Sequence, residues 1–311
     1  MTFLELAEKI LRETKKPMAP NKIWEFAEMN NYVDELGSGG KSPWKTLGAV
    51  LYVDVRDKID SKFISIGRRP KNFYLKEYDE IIDKEKYELD DSEETLVPIN
   101  KSNYKEKDLH AFLAHFAFYH LKAYTKTISH LKTKGKGYLE WLHPDMVGCY
   151  FSQEDWNDEV FELSSSIGNN VIKLFSFELK KELNLKKLRE SFFQTVSNSS
   201  WAHESYLVAA EISNNEDFIN ELTRLSKAFG IGVIKLDIED PFSSEIILTP
   251  KRREELDWDT INKLTMNQDF KNFLKRIITD LKIREIRKEK YEKILSDDEL
   301  IKSINKKTKK I

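Results

Sequence analysis

The 311-residue sequence predicts two domains: a small winged helix-turn-helix, then a larger α+β or α/β domain with a mixed sheet flanked by helices. Three observations carry this expectation. The length, with 40% hydrophobic residues, exceeds what one small core needs. Within residues 1–75, three helical patterns precede two short alternating segments. From Lys105 onward the order runs helix, strands, helix, strand, helix, strand, which is the order of an α/β core with a mixed sheet.

In the first domain, Phe3, Leu6, Ile10 and Leu11 recur at helical spacing, and Thr2 with Glu5 forms a capping-box pattern. The stretch KKPMAP ends that helix. Asn21 is the expected cap of a second helix bearing Ile23, Trp24, Phe26 and Ala27. After the loop NNYVDELGSGGK, Ser42-Pro43 supplies a cap and a first-turn proline for a third helix, with Leu47, Val50 and Leu51 on its apolar face. KFISIG and NFYL then alternate as the two strands of a wing around Gly67 to Pro70.

Residues 76–104 are acidic and polar and read as a linker. The second domain, residues 105–280, opens with the helix EKDLHAFLAHFAFYHLKAY. Strands follow around GYLEWLHPDMVGCYF and VIKLFSFELK, then the helix NLKKLRESFFQTVSNSS. The strands YLVAAEI and GIGVIKLDI flank the helix NEDFINELTRLSKAF, and SSEIILTP is a further strand candidate. From about Trp258 the chain reads as helical, and residues 281–311 form a lysine-rich basic tail expected to be a solvated helix.

Composition narrows the function classes. The formal net charge of −2 hides local patches and decides little about nucleic acid. One cysteine, Cys149, excludes a disulfide framework within the chain, so a cytoplasmic setting is expected. No stretch approaches ~18 consecutive apolar residues, and the acid-containing N-terminus does not read as a signal peptide. His110, His115 and His120, five apart, do not share a helix face. GSGGK at 37–41 lacks the spacing of a phosphate loop.

The chemistry centres on IKLFSFELKKEL, residues 172–183, and on LHPDMVGCYF before it. Glu178 and Lys180 are two apart, so in a strand they share a face. Asp145 follows Pro144 at the start of an apolar strand. Asp145 and Glu178 are hard oxygen ligands suited to Mg²⁺ or Mn²⁺, and the Leu179 carbonyl between the acid and the lysine is a third candidate ligand. Lys180 could orient a metal-activated water or act in proton transfer if burial lowered its pKa. A blander reading also fits: a surface ion pair of ~0–1 kcal/mol and a turn aspartate after proline. Glu106 and Glu140 are candidates for an additional carboxylate, and Lys186, Lys187 and Arg189 for phosphate contacts.

The pattern resembles the PD-(D/E)xK nuclease superfamily, with PD at 144–145 and ExK at 178–180. The resemblance implies a Mg²⁺-dependent endonuclease in which Asp145, Glu178, Lys180 and Gln194, on the next helix, form the site. Residues 1–75 in turn resemble the HARE-HTH domain through GKSPWKTL and the FISIG wing, with Ser42 where that family usually has threonine. That likeness implies binding to double-stranded DNA, with Lys41, Ser42, Trp44 and Lys45 at the third helix and Arg68, Arg69 and Lys71 in the wing, and possible sensing of modified bases. The pairing of the two resembles restriction-endonuclease-like proteins of the HrgA type, through WLHPDMVG, FSFELKKEL and SNSSWAHESYLVAAEI. A non-catalytic DNA-binding regulator with a degenerate nuclease fold is the alternative. Cutting both strands calls for two active sites, so a homodimer is compatible with the reading.

Overall fold

The computed structural model describes residues 1–36, 43–58, 60–67, 71–84, 87, 104–129, 143–168 and 171–308. The chain divides into two compact units, Met1–Pro98 and Ile99–Ile311.

In the first unit, α1 (Phe3–Thr14) starts with the expected capping box: the Glu5 N–H donates to Thr2 Oγ1 and the Thr2 N–H to Glu5 Oε2. It stops at Lys15, whose φ of 51° is left-handed. α2 (Pro20–Met29) places Pro20, not Asn21, at its start; Ala19 is the capping position and Asn21 lies inside the helix. A proline there sacrifices no helical N–H, and its fixed φ suits the first turn. α3 spans Pro43–Asp57, and β1 (Phe63–Ile66) pairs antiparallel with β2 (Asn72–Leu75). Leu6, Ile10, Ile23, Leu47, Leu51, Phe63 and Phe73 close one core between three helices and a hairpin.

The second unit is built on a six-stranded sheet in the order β3-β4-β5-β6-β7-β8. Its strands are β3 (Ala123–Thr127), β4 (Met146–Phe151), β5 (Ile172–Leu183), β6 (Glu204–Ile212), β7 (Gly232–Lys235) and β8 (Glu245–Leu248). β3, β4 and β5 are antiparallel, β5, β6 and β7 parallel, and β8 antiparallel to β7. Parallel neighbours need crossover connections; α6 (Leu188–Ser197) and α7 (Glu216–Phe229) supply them. α4 (Leu109–Leu121), α5 (Asp158–Ser166), α8 (Trp258–Leu264), α9 (Gln268–Ile283) and α10 (Asp297–Thr308) complete the unit.

Three apolar clusters hold the sheet. Phe175, Phe177 and Leu179 pack with Leu113 and Phe116 of α4 and with Leu300 and Ile304 of α10. Leu174, Val147 and Cys149 pack with Trp201 and, from α9, Phe270 and Ile277. Leu207 and Ala209 lie under Leu188 and Phe192 of α6 and Phe218 and Leu222 of α7.

Two further expectations differ from the structure. The first helix of this unit does not run through Tyr124: Lys122 turns left-handed (φ 52°), and Ala123–Thr127 becomes edge strand β3. The described part of the basic segment 281–311 is not a solvated tail. Tyr291 is buried with its hydroxyl on Asp280 Oδ2 at 2.7 Å, the Glu292 N–H donates to the Thr125 carbonyl, and Leu300 is 0% exposed. The apolar side chains among the lysines outweigh the net charge, because one helix face suffices to bury them.

Candidate active site

The site forms where β5 outruns β4. β4 pairs with β5 only over Ile172–Phe177, whereas β6 accompanies β5 to Leu183. Beyond Phe177, therefore, β5 keeps a strand on one side, and on the other its backbone groups need different partners. Asp145, immediately before β4, provides one: its Oδ2 accepts the Leu179 N–H at 2.8 Å. Glu106, in the short turn before α4, brings its carboxyl group near Asp145 and Lys180. A strand residue directs its N–H and C=O to the same side, so the Leu179 carbonyl also faces this gap.

Strand alternation puts Glu178 and Lys180 on the opposite face from Phe177 and Leu179. Across the β5–β6 ladder they stand beside Leu207 and Ala209, under α6. Glu178 is 0% exposed, which rules out the surface ion pair. Its Oε1 accepts from Lys180 Nζ at 2.8 Å, and Asn198 Nδ2 reaches Oε2 at 3.4 Å. The Asp145 carboxylate acts on it electrostatically. Burial, and then the Asp145 charge, push the Glu178 carboxyl up to about 8, against the pull of Lys180.

Lys180 does not have the lowered pKa anticipated for an acid–base lysine. Burial works in that direction, but Glu178, Asp145 and Glu106 together outweigh it and hold the ammonium above its usual value. Burial likewise raises the Glu106 carboxyl, with Lys180 opposing and Asp145 reinforcing the shift. Three carboxyl groups and one ammonium thus act on one another at the fork of β4 and β5.

The expected residues are placed as follows. Asp145, Glu178, Leu179 and Lys180 converge, and Glu106 joins them. Gln194, half-buried on α6, makes no hydrogen bond to these carboxyl groups among the described residues; Asn198, just past the end of the same helix, contacts Glu178 instead. No sequence signal singles out Asn198, because the chain turns at the helix end before reaching it. Glu140 lies outside the described residues, as do Lys41, Ser42, Arg68 and Arg69. Trp44 and Lys45 fall on the first turn of α3, outside the residues whose side chains are described. Lys71 is half-buried, its Nζ 5.1 Å from the centre of the Tyr52 ring.

Among the described residues, no three His, Cys, Asp or Glu side chains are grouped as a ready metal cage. The donors that do converge, two carboxylates and a backbone carbonyl directed into the same gap, suit Mg²⁺, which is usually held by one or two carboxylates and keeps several waters. No helix among the described residues is long and apolar enough to cross a membrane.

Comparison with known proteins bears on the first unit. A search of curated proteins finds no match. One solved structure, a protein of unknown function from Silicibacter pomeroyi, aligns with 58% of this chain and 92% of its own at 12% identity and a TM-score of 0.30, a likeness that supports no argument. A family model, the HTH domain described for ASXL proteins and restriction endonucleases, matches residues 1–73. With its three helices and hairpin, that segment is a HARE-HTH domain.

Proposed function

We propose that the protein is an endodeoxyribonuclease of a restriction or defence system, with the HARE-HTH domain holding duplex DNA and the second unit hydrolysing a phosphodiester. The observation that carries this reading is Glu178: a fully buried carboxyl that faces Asp145 and is bonded to Lys180, on an apolar strand where burial without function is costly. Asp145, Glu178 and the Leu179 carbonyl would hold Mg²⁺ or Mn²⁺. When bound, such an ion neutralises phosphate charge and acidifies a water. Lys180, held charged by its carboxylates, would orient that water and stabilise developing negative charge on the phosphate. Glu106 would add negative charge beside Lys180 and help to keep it charged. A homodimer would bring two such sites to the two strands, in a cytoplasmic setting.

A second reading keeps DNA binding without cleavage. It is favoured by the absence, among the described residues, of a three-ligand metal group, and by the bond that Lys180 already makes to Glu178.

Plasmid DNA incubated with the protein and Mg²⁺ or Mn²⁺ separates the two. Nicking or linearisation that disappears in Asp145→Ala and Lys180→Ala supports the enzyme. Salt-sensitive binding without cutting, on plain and methylated DNA alike, supports the second reading.

A further inference from the structure

We propose that the second unit carries a separate pocket for a phosphate-bearing nucleotide, at the starts of β6 and β7. A cavity of about 430 Å³ opens there, between the end of α7, the loop before β6 and residues 251–255. That volume lies within the range of small-molecule sites, ~300–1,000 Å³. None of Glu106, Asp145, Glu178, Lys180 or Asn198 lines it, so it is distinct from the candidate active site.

Its wall is basic. Lys227, Lys251, Arg252 and Arg253 line it against two acids, Glu254 and Glu255. Arg252 pairs with Glu254 at 3.6 Å; among the described residues Lys227, Lys251 and Arg253 have no ion-pair partner. A buried group points the same way. Ser205 is 4% exposed and lines the cavity, yet its Oγ has no hydrogen-bond partner among the described residues. Buried hydroxyls are ordinarily satisfied, and an oxygen of a bound phosphate would satisfy this one.

The pocket is also preformed. The Lys251 N–H donates to the Gly230 carbonyl at 3.0 Å and the Arg253 N–H to the His203 carbonyl at 2.8 Å, which tie the basic segment to the end of α7 and to the loop before β6. Burial, then Arg252 and Lys173, hold the His203 imidazole below its usual pKa, in keeping with a positive field. Phe229, 41% exposed on the same wall, offers an apolar ring beside the cations. Cations for a phosphate and an aromatic face for a base are the chemistry of a nucleotide site. A free nucleotide and a nucleotide unit of a DNA strand both present it.

The test uses the full chain without divalent metal and follows the fluorescence anisotropy of a labelled ATP and of a labelled single-stranded oligonucleotide. At least one should bind saturably, and Lys251→Ala with Arg253→Ala should weaken that binding about ten-fold or more. Ser205→Ala should weaken it by a few-fold while its Tm stays equal to wild type or rises, because an orphaned hydroxyl is removed. ATP binding, with displacement of the oligonucleotide, assigns a free nucleotide; oligonucleotide binding that ATP does not displace but the variants weaken assigns a strand. Saturable binding of neither probe, or binding that all these variants leave unchanged, overturns the proposal. Plasmid cutting does not enter this measurement, so the pocket and the nuclease reading fail separately.

Discussion

Asp145 Oδ2 and the backbone N–H of Leu179 are joined by a 2.8 Å hydrogen bond, across the point where β4 leaves β5. One carboxylate therefore does two things. It satisfies a strand N–H that has lost its ladder partner, and it places a negative charge against the buried Glu178. The two roles are separable by substitution. Asp145→Asn retains an oxygen acceptor for Leu179 but removes the charge. The Glu178 carboxyl, at about 8 in the wild type, should then titrate closer to the ordinary glutamate range, as followed by side-chain carboxyl ¹³C NMR. An unchanged Glu178 titration would show that burial alone sets it.

The same group makes stability depend on pH. Glu178 is raised from an ordinary 4.5 to about 8, so the folded protein retains a proton that the unfolded chain has released in that window. Stability from this group is fully present below about 4.5 and is lost as pH rises through about 8. Glu178→Gln carries no ionisable group there. The Tm difference between Glu178→Gln and wild type should therefore shift in favour of the variant between about pH 5 and about pH 9. A difference that stays flat across that range would refute the raised pKa.

How much of this was legible in the sequence depends on the range of the interaction. α1 is announced by Thr2 and Glu5, and α7 by apolar spacing after Asn215, because caps and helical periods are local. β3 is masked by its neighbour: α4 is apolar almost all round, so its period does not mark where it ends, and the left-handed turn falls on a lysine. Glu178 and Lys180 are legible as sharing a face; their burial is not, since it comes from Leu207 and Ala209 on a strand nearly thirty residues later. The approach of Asn198 to Glu178 depends on how α6 lies over the sheet, which no local pattern encodes. The wing arginines and Lys41, central to the DNA reading, lie outside the described residues.

Gly232 opens β7 opposite Tyr206, in a position that admits no side chain. A Cβ there would lie 2.6 Å from Tyr206 Cδ1 and 2.9 Å from Pro250 Cδ. Tyr206 cannot swing aside cheaply, because it stacks on Phe177 at 5.7 Å and its hydroxyl is held by Glu204 at 2.8 Å. Gly232→Ala should destabilise the second unit by ~1–3 kcal/mol, the usual range for overpacking. Urea denaturation followed by far-UV circular dichroism measures it, and a variant as stable as wild type would mean that this aromatic stack yields readily.

The C-terminal helix offers a direct contrast between a buried and an exposed position on one element. Leu300 and Ile304 of α10 are 0% and 1% exposed, in the same cluster as Phe116, Phe177 and Leu179. Lys302, between them, faces solvent. If the helix is part of the core, Leu300→Ala leaves a cavity beneath β5 and costs ~2–5 kcal/mol. Lys302→Ala, removing a charge from the solvated face, should stay within ~0.5 kcal/mol of wild type. A fraying tail would instead make the two variants equivalent. Because Leu179 belongs to the same cluster, Leu300→Ala should also loosen the strand that carries Glu178 and Lys180. Amide exchange at Leu179 should accelerate in that variant and stay at the wild-type rate in Lys302→Ala.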